Sequence, residues 1–245
     1  RLELVAAIRV GLATGEFVPF FQPIKTLAAP LSIAGYEALV RWLQPDGTVL
    51  SPAAFLPTAE RSSLMPALDD AVLRLALGAL GAGPSGTFMS VNASTATLMQ
   101  DDYADIVLEA LTNAGIPGDR LHLEITETAL LEVTDRTLAS MRQLAAAGVQ
   151  WYVDDFGTGY SSISHLRDLP IGGRKLDLSC RDGIRRGDDT SIQLAQALAG
   201  LAEGLQLDTV AEGVETEVEA EVLRAQGWHH GQGWLYGRPA PDLRS

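Results

Sequence analysis

Apolar runs of strand length alternate with amphipathic helical segments along most of the chain. Helical periodicity covers, among others, residues 66–80, 101–114, 134–147, 188–204 and 217–226. Eight β/α units predict an α/β fold in the form of a (β/α)8 barrel, with an open doubly wound sheet as the competing architecture. The eight predicted strands are FVPFFQPI (17–24), IAGYEALVRW (33–42), TFMSVNAS (87–94), RLHLEITE (120–127), VQWYVDDF (149–156), GRKLDLS (173–179), DTVAEGV (208–214) and WHHGQGWLY (228–236).

Length and charge narrow the class of protein. With 245 residues and 47% hydrophobic content, the chain can bury one large core, so we expect a single domain over residues 1–245. The 18 basic and 31 acidic residues give a net charge of −13, which repels phosphate backbones and anionic lipid surfaces. We therefore expect no DNA or RNA partner. No apolar run approaches the roughly 18 residues of a membrane span, so we also expect no membrane insertion of this domain. A single cysteine, Cys180, fits a reducing compartment.

Polar residues recur at or near the ends of the predicted strands. In a parallel barrel the carboxyl ends of all strands open on one face, so residues far apart in sequence can meet there. A cluster of carboxylates repels itself unless protons or cations neutralise it. Oxygen donors without histidine or thiolate ligands favour Mg²⁺ or Mn²⁺. The residues concerned are Glu37, Asn92, Glu124, Glu127, Asp154, Asp155, Lys175, Glu212 and Gln232.

The segment WYVDDFGTGYSS (151–162) places two adjacent carboxylates between an apolar run and a glycine turn. Glycine permits the backbone conformations that would bring Asp154 and Asp155 to the same mouth, where each would hold a different metal ion. Two metals about 4 Å apart suit in-line attack on a phosphodiester, and Lys175 would neutralise charge and hold the attacking water. Taken singly, DDFGTG is more often a turn that caps a helix, and the other acids are more often solvated.

Seven segments, in this order, resemble the signature set of the EAL domain family. They extend over nearly the whole chain, from FFQPI to GRPAP. The resemblance implies a modified TIM barrel whose first strand runs antiparallel to the rest. It also implies a bacterial signalling enzyme that hydrolyses cyclic di-GMP to linear pGpG with Mg²⁺ or Mn²⁺. We expect Ca²⁺ to be inhibitory, because its larger and looser coordination shell misplaces the attacking water. The segments are YEALVRW (36–42), VNAS (91–94), LEITET (123–128), DDFGTGYSS (154–162), RKLD (174–177), VAEGVET (210–216) and GQGWLYGRP (231–239).

The same resemblance implies a role for each motif residue. Lys175 and Glu212 match the groups that orient and activate the attacking water, and Glu127 matches an acid that steadies the glycine loop after the fifth strand. With Glu37 they form the expected catalytic set. The expected metal ligands are Glu37, Asn92, Glu124 and Asp154 for one ion and Asp155 for a second; the expected substrate contacts are Gln22, Arg41 and Gln232.

Two alternatives to the enzyme stay open. Some family members have lost catalysis, so a catalytically weak cyclic di-GMP receptor is the main alternative. Since a fold alone fixes no substrate, another metal-dependent phosphohydrolase on a TIM barrel is the weaker one. The intact set of expected residue types favours the enzyme. We also expect attached sensory or GGDEF-type domains in a longer signalling protein, and a cytoplasmic location, either free or as part of a membrane-anchored protein; a homodimer is left open.

Three positions depart from the family pattern around Lys175. The text PIGGRKLDLSC has Gly172, Arg174 and Cys180 where the family commonly shows an acid, a leucine and an aromatic residue. We expect these changes to affect the loop geometry near Lys175, and we expect residues 156–162 to form a mobile loop. Structural or exposed positions are expected for His122, His165, His229 and His230. Core packing, in preference to a base-stacking platform, is expected for Trp42, Trp151, Trp228 and Trp234, with a position near the cleft as the alternative for Trp234.

Overall fold

The computed structural model of the chain describes residues 2–154, 168–177 and 181–243. The strands are β1 (Phe17–Thr26), β2 (Ile33–Leu43), β3 (Val49–Leu50), β4 (Phe88–Asn92), β5 (Leu121–Thr126), β6 (Gln150–Asp154), β7 (Ile171–Asp177), β8 (Asp208–Glu212) and β9 (His230–Gln232). The described helices are α1 (Leu2–Thr14), α2 (Leu56–Glu60), α3 (Met65–Ala82), α4 (Thr95–Leu98), α5 (Tyr103–Ala114), α6 (Glu127–Leu130), α7 (Asp135–Ala146), α8 (Arg181–Arg185), α9 (Asp189–Gly204) and α10 (Glu217–Ala225). Short 3₁₀ helices cover Pro52–Ala54 and Gly118–Arg120.

Eight of these strands close into a barrel. Strand β1 pairs with β2 on one side and β9 on the other, antiparallel to both, and the ring continues in parallel through β4, β5, β6, β7 and β8. The short β3 only extends β2 outside the ring. The modified barrel with an antiparallel first strand is therefore confirmed, and the open doubly wound sheet is wrong.

The predicted strands and helices correspond to observed ones, with small shifts at their ends. The segment 17–24 became β1, which runs to Thr26, and 66–80 became α3, which begins at Met65 and ends at Ala82. Helix α1 was not among the predicted helices because its apolar positions form only a weak stripe; Ile8 and Gly11 are its buried residues. Within the described residues, no helix is long and apolar enough to cross a bilayer.

The main core lies between the barrel and the helices around it. Alternate residues of each strand face outward, so Val91 of β4, Leu123 of β5 and Val153 of β6 are buried against helical side chains such as Leu77 and Met141. Helix ends are fixed locally, since Thr216 caps α10 in a reciprocal capping box with Glu219. The outward side chains thus hold the helices, and the inward ones are left to shape the barrel interior.

The amino end of the barrel interior is filled by stacked rings. His122 stacks on Phe88 with 3.8 Å between ring centroids and on Tyr152 with 4.6 Å. Two strand glycines make room for this stack: a Cβ added at Gly35 would lie 2.5 Å from Phe88, and one at Gly173 would lie 2.3 Å from Tyr152. Because this end is packed shut, the polar side chains of the interior gather at the carboxyl end.

Several expectations fall outside the described residues. These concern Asp155, His165, Cys180 and the loop expected at 156–162. Of the other histidines, His122 is buried in the ring stack, while His229 and His230 lie beside Asp208. The expected core packing is confirmed for Trp42, Trp151 and Trp228, whose side chains are buried, and it is wrong for Trp234, whose side chain is exposed.

Candidate active site

Lys175 lies at the centre of the carboxyl-end cluster. It sits on β7 with 1% of its surface exposed, and its Nζ donates to Glu37 Oε2 at 2.9 Å and to Glu124 Oε2 at 2.9 Å. A third contact of 2.7 Å joins Nζ to Glu212 Oε1 at the end of β8. Three acids from strands β2, β5 and β8 therefore meet on one ammonium group, as the barrel geometry predicted.

Glu37 is held by neutral amides as well as by Lys175. Asn92 Nδ2 donates to Glu37 Oε1 at 2.9 Å, and Gln232 Nε2 donates to Glu37 Oε2 at 2.7 Å. Gln232 Nε2 also donates to Gln22 Oε1 at 3.1 Å, and Gln22 Nε2 donates to the Gly237 carbonyl. These bonds fix the Glu37 carboxylate where β1, β2 and β9 meet.

Burial and charge pull the pKa values of the cluster in opposite directions. Burial alone would lower the pKa of Lys175, but the charges of Glu124, Glu37 and Glu212 raise it well above its ordinary value. Burial, with the charge of Glu37, raises the pKa of Glu124 well above its ordinary range. Lys175 therefore stays cationic. The charge of Lys175 favours ionisation of Glu124, but it does not offset the burial of Glu124 and the charge of Glu37.

The two acids joined most tightly to Lys175 differ from each other. Burial opposes ionisation of Glu37, yet the charge of Lys175 and the amide hydrogen bonds lower its pKa. Burial raises the pKa of Glu212 to about 7, against the opposing effect of Lys175. Glu37 is thus an anion, whereas Glu212 can take up and release a proton near neutral pH.

A cleft of about 380 Å³ opens above this cluster. Its floor is charged and its rim carries an exposed indole, since Trp234 is 57% exposed and the Arg238 guanidinium lies 4.0 Å above its ring. Trp234 thus takes the position near the cleft that was the alternative to core packing. The described residues that line the cleft are Gln22, Glu37, Leu39, Asp154, Lys175, Glu212, Gly213, Glu215, Gln232, Gly233 and Trp234.

Arg41 lies farther along the same face of β2 as Glu37 and Leu39. It is not among the described residues that line the cleft; its Nη1 donates to the Val40 carbonyl at 2.8 Å, and its guanidinium lies over Phe20. The carboxylate of Glu37 still acts on it electrostatically, since Glu37 opposes the burial that lowers the Arg41 pKa. Its expected contact with phosphate stays a prediction.

Glu127 is buried at the start of α6, and its expected role in steadying the following loop also stays a prediction. The departure at Arg174 is informative here. This guanidinium is 1% exposed on the outer face of β7; burial lowers the pKa of Arg174 to about 10, and the Glu127 carboxylate opposes that shift. Arg174 thus supplies a cation near Glu127 where the family commonly has leucine.

Ser90 and Leu39 are among the members of the site that sequence reasoning missed. The Ser90 hydroxyl donates to Glu124 Oε1, and Leu39 lines the cleft. Strand alternation would have found both, because Ser90 lies two residues before Asn92 and Leu39 two residues after Glu37, each on the inward face.

The donor set fits a hard divalent cation. The cluster offers only carboxylate and amide oxygens, and the Asn92 side-chain oxygen accepts no hydrogen bond from the described residues. Four acids, Glu37, Glu124, Asp154 and Glu212, face the one ammonium group of Lys175. Within the described ranges no three His, Cys, Asp or Glu residues are already spaced to hold a metal ion. Lys175 lies between Glu37, Glu124 and Glu212 and pairs with all three.

The chain is therefore a (β/α)8-type barrel protein with an acidic, oxygen-lined cleft at the carboxyl end of the barrel. The sequence profile of the EAL domain matches residues 5–239, and the chain belongs to the EAL domain family.

Three relatives illustrate this membership. The cyclic di-GMP phosphodiesterase NbdA of Pseudomonas aeruginosa is 36% identical over 98% of this chain and 31% of its own length. The bifunctional diguanylate cyclase/cyclic di-GMP phosphodiesterase MucR of the same organism is 35% identical over 98% of this chain and 36% of its own length. A solved structure of the PaMucR phosphodiesterase in complex with c-di-GMP has a TM-score of 0.88 and 33% identity, covering 98% of both chains. The chain thus spans about a third of the length of these two curated relatives.

Proposed function

We propose that this domain hydrolyses cyclic di-GMP to linear pGpG with Mg²⁺ or Mn²⁺ as cofactor. The observation that carries the proposal is the convergence of Glu37, Glu124 and Glu212 on Lys175 at the carboxyl end of the barrel. The named activity of NbdA and the c-di-GMP complex of PaMucR support the choice of substrate.

The cleft has parts suited to a cyclic dinucleotide. The exposed ring of Trp234 offers a stacking surface for a purine base, and Gln22 and Gln232 present amides at the junction of β1 and β9. A divalent cation near the acids would attract the bridging phosphates, which the net charge of −13 would otherwise repel. We infer that the phosphodiester lies over Lys175.

The residues that would hold the cation are Glu37, Asn92, Glu124 and Asp154, with Asp155 as the ligand expected for a second ion. A bound divalent cation supplies charge neutralisation and a nucleophile active at neutral pH. Lys175, kept protonated by its acids, would stabilise the negative charge that develops on the phosphate. Glu212, which faces the cleft beside Lys175, would take the proton of the attacking water.

The direct test incubates the purified domain with cyclic di-GMP and Mg²⁺ and separates the products by chromatography. We expect linear pGpG, loss of product with a strong chelator, and little product with Ca²⁺, because its larger and looser coordination shell positions water poorly. Turnover without any divalent cation would contradict the metal dependence. Tight binding without hydrolysis would establish the receptor instead.

A variant pair tests the role of Glu212. Glu212→Gln should lower kcat by about a hundredfold or more and change substrate affinity little, because its proton transfer belongs to the transition state. Glu221→Gln removes an exposed carboxylate on α10 and is the matched control. Equal kcat in both variants would remove Glu212 from the mechanism.

We further infer that the domain works within a longer signalling protein, with a sensory or GGDEF-type domain attached. The support is that relatives such as MucR, named as bifunctional, are about three times as long as the matched region. Sequencing the complete gene tests this directly, and a gene that encodes only these residues would contradict it.

A further inference from the structure

A second cavity lies outside the barrel, next to the wall of the cleft. Its volume is about 530 Å³, against about 380 Å³ for the cleft, and it lies between the amino-terminal halves of α3 and α5, over strands β4 and β5. The exposed residues Ser63 and Ala67 lie at its rim, and Asn92 belongs to its lining. Its size falls within the range of pockets that bind small organic molecules.

The lining combines apolar walls with ionisable groups. Leu73, Val91, Ile106 and Leu123 supply the apolar surface, and Asp69 supplies a carboxylate. A gap left only by imperfect packing between helix and sheet would be lined by apolar atoms. A carboxylate above an apolar floor is the pattern of a site that orients a ligand.

One oxygen of Asp69 is used structurally and the other is not. Oδ2 accepts from the Ser94 amide at 2.9 Å and from Thr97 Oγ1 at 2.6 Å, whereas Oδ1 accepts no hydrogen bond from the described residues. Burial raises the pKa of Asp69, and the bonds from Thr97 and Ser94 oppose this. Asp69 forms no ion pair with any described residue, since Arg74 in the same lining pairs with Asp70, so a cationic ligand would supply its counter-charge.

Two neighbours mark the polar side of the cavity. Tyr103 is 4% exposed and lines it, and its hydroxyl forms no hydrogen bond with any described residue. The hydroxyl is therefore available to a ligand that enters the cavity. Asp70 differs from Asp69, because Arg74 Nε already donates to both of its oxygens, at 2.9 and 3.1 Å. The unmatched groups are thus Asp69 Oδ1 and the Tyr103 hydroxyl.

We propose that this cavity is an accessory binding site for a small organic cation that carries N–H donors on a flat apolar body. The N–H groups bind Asp69 and Tyr103, and the apolar body lies against Leu73 and Leu123. The site is linked to the catalytic end of the barrel, because Asn92 lines it and Asp69 holds the Ser94 turn two residues after Asn92.

Benzamidine is the test probe, with benzamide as its uncharged counterpart of similar shape. Isothermal titration calorimetry on the whole chain should give saturable 1:1 binding of benzamidine in the millimolar range, and at least roughly tenfold weaker binding of benzamide. Asp69→Asn should weaken benzamidine binding at least roughly tenfold, since it removes the charge but keeps an acceptor for Ser94 and Thr97. Asp119→Asn, an exposed acid at the far end of β5, is the charge-matched control and should bind as the parent does.

The catalytic cleft is also acidic, so location needs its own variant. Ala67→Phe places a ring at the exposed rim of the cavity, at a residue that does not line the catalytic cleft, and should abolish binding. Circular dichroism melts check that each variant is folded. Benzamidine binding that survives both Asp69→Asn and Ala67→Phe, that fails to saturate, or that is matched by benzamide would overturn the proposal. The readout is binding alone and is independent of cyclic di-GMP hydrolysis.

Discussion

The two ends of the barrel interior solve the problem of a closed sheet in opposite ways. At the amino end, His122 is stacked between Phe88 and Tyr152, and the Tyr152 hydroxyl donates to Asp208 at 2.6 Å. At the carboxyl end, four acids surround Lys175 beneath an open cleft. One end buries rings against glycines, and the other buries charge against charge.

The difference teaches where stability and function lie along the same strands. Strand β7 carries both, because Gly173 packs under Tyr152 and Lys175, two residues later, binds Glu37 and Glu124. Substitution at the ring end should therefore act on folding, and substitution at the charged end should act on chemistry as well.

Lys175→Met should have the largest effect. It leaves buried Glu37 and Glu124 without their ammonium partner, which should lower the free energy of unfolding by about 3–5 kcal/mol in metal-free buffer. Urea denaturation measures this loss, which should shrink at mildly acidic pH, where the acids gain protons. Hydrolysis of cyclic di-GMP should fall by about a hundredfold or more.

The chain offers a matched control because it contains only two lysines. Lys25 lies 5.9 Å from the centroid of the Tyr236 ring, so Lys25→Met should cost less than about 1 kcal/mol. A similar loss of stability in both variants would mean that the charged cluster adds nothing specific.

His122 predicts a pH dependence of stability for the ring end. Burial lowers the pKa of His122 from 6.5 to about 4, against the opposing charge of Asp208. As pH falls below 6.5, His122 binds a proton in the unfolded chain but stays neutral in the folded chain, so stability is lost down to about pH 4. At about 1.4 kcal/mol per pH unit, this contribution reaches about 3 kcal/mol.

The His122→Phe variant keeps a ring in the stack and removes the titration. The difference in unfolding free energy between parent and variant, measured by urea denaturation across this pH range, should therefore change in favour of the variant on acidification. A difference that stays constant with pH would show that His122 titrates normally in the folded state.

Gly173→Ala tests the steric side of the ring end. The added Cβ would lie 2.3 Å from Tyr152 Cε1, so the ring must shift, at a cost of about 1–3 kcal/mol. Gly78→Ala is the control: it lies inside α3 with open space around the position and should stabilise by about 0.5–1 kcal/mol. Thermal unfolding measures both, and a stabilised Gly173→Ala would refute the packing described.

Trp234→Ala should have the smallest effect. Loss of the exposed ring removes a stacking surface from the rim of the cleft, so KM for cyclic di-GMP should rise about fivefold to tenfold while kcat changes little. Steady-state kinetics decide the matter, and a fall in kcat at unchanged KM would place Trp234 in the chemistry.

Much of this architecture can be predicted from the sequence, because strand patterns and motifs are local and follow one another in order. Each predicted strand has its own alternation of apolar and polar positions, and Glu37, Asn92 and Glu212 stand at the strand ends that a barrel brings together. The pairing of Gly173 with Tyr152 cannot be predicted in this way. It depends on which residues of β6 and β7 are opposite each other, a register that shifts at Trp151.

The centre of the site shows the same limit of local reasoning. Sequence identifies Lys175 as a member of the cluster, but not that its ammonium would contact acids from three strands. The cavity beside Asp69 gives no sequence signal at all, since it arises from the spacing of α3 and α5 over the sheet. Pattern predicts elements and their faces, whereas side-chain partners follow from three-dimensional packing.

The antiparallel seam at β1 has a consequence for how the chain folds during synthesis. Strand β1 pairs with β9, Phe21 bridges to Ala240, and Gln22 meets Gln232 from 210 positions away. When the ribosome has synthesised the chain only as far as β8, the nascent sheet has two unpaired edge strands, β1 and β8, which favour association with other chains. Closure waits for the last strand, and the amides around Glu37 assemble in that same event, so a chain stalled before β9 has neither a sealed barrel nor a finished catalytic centre.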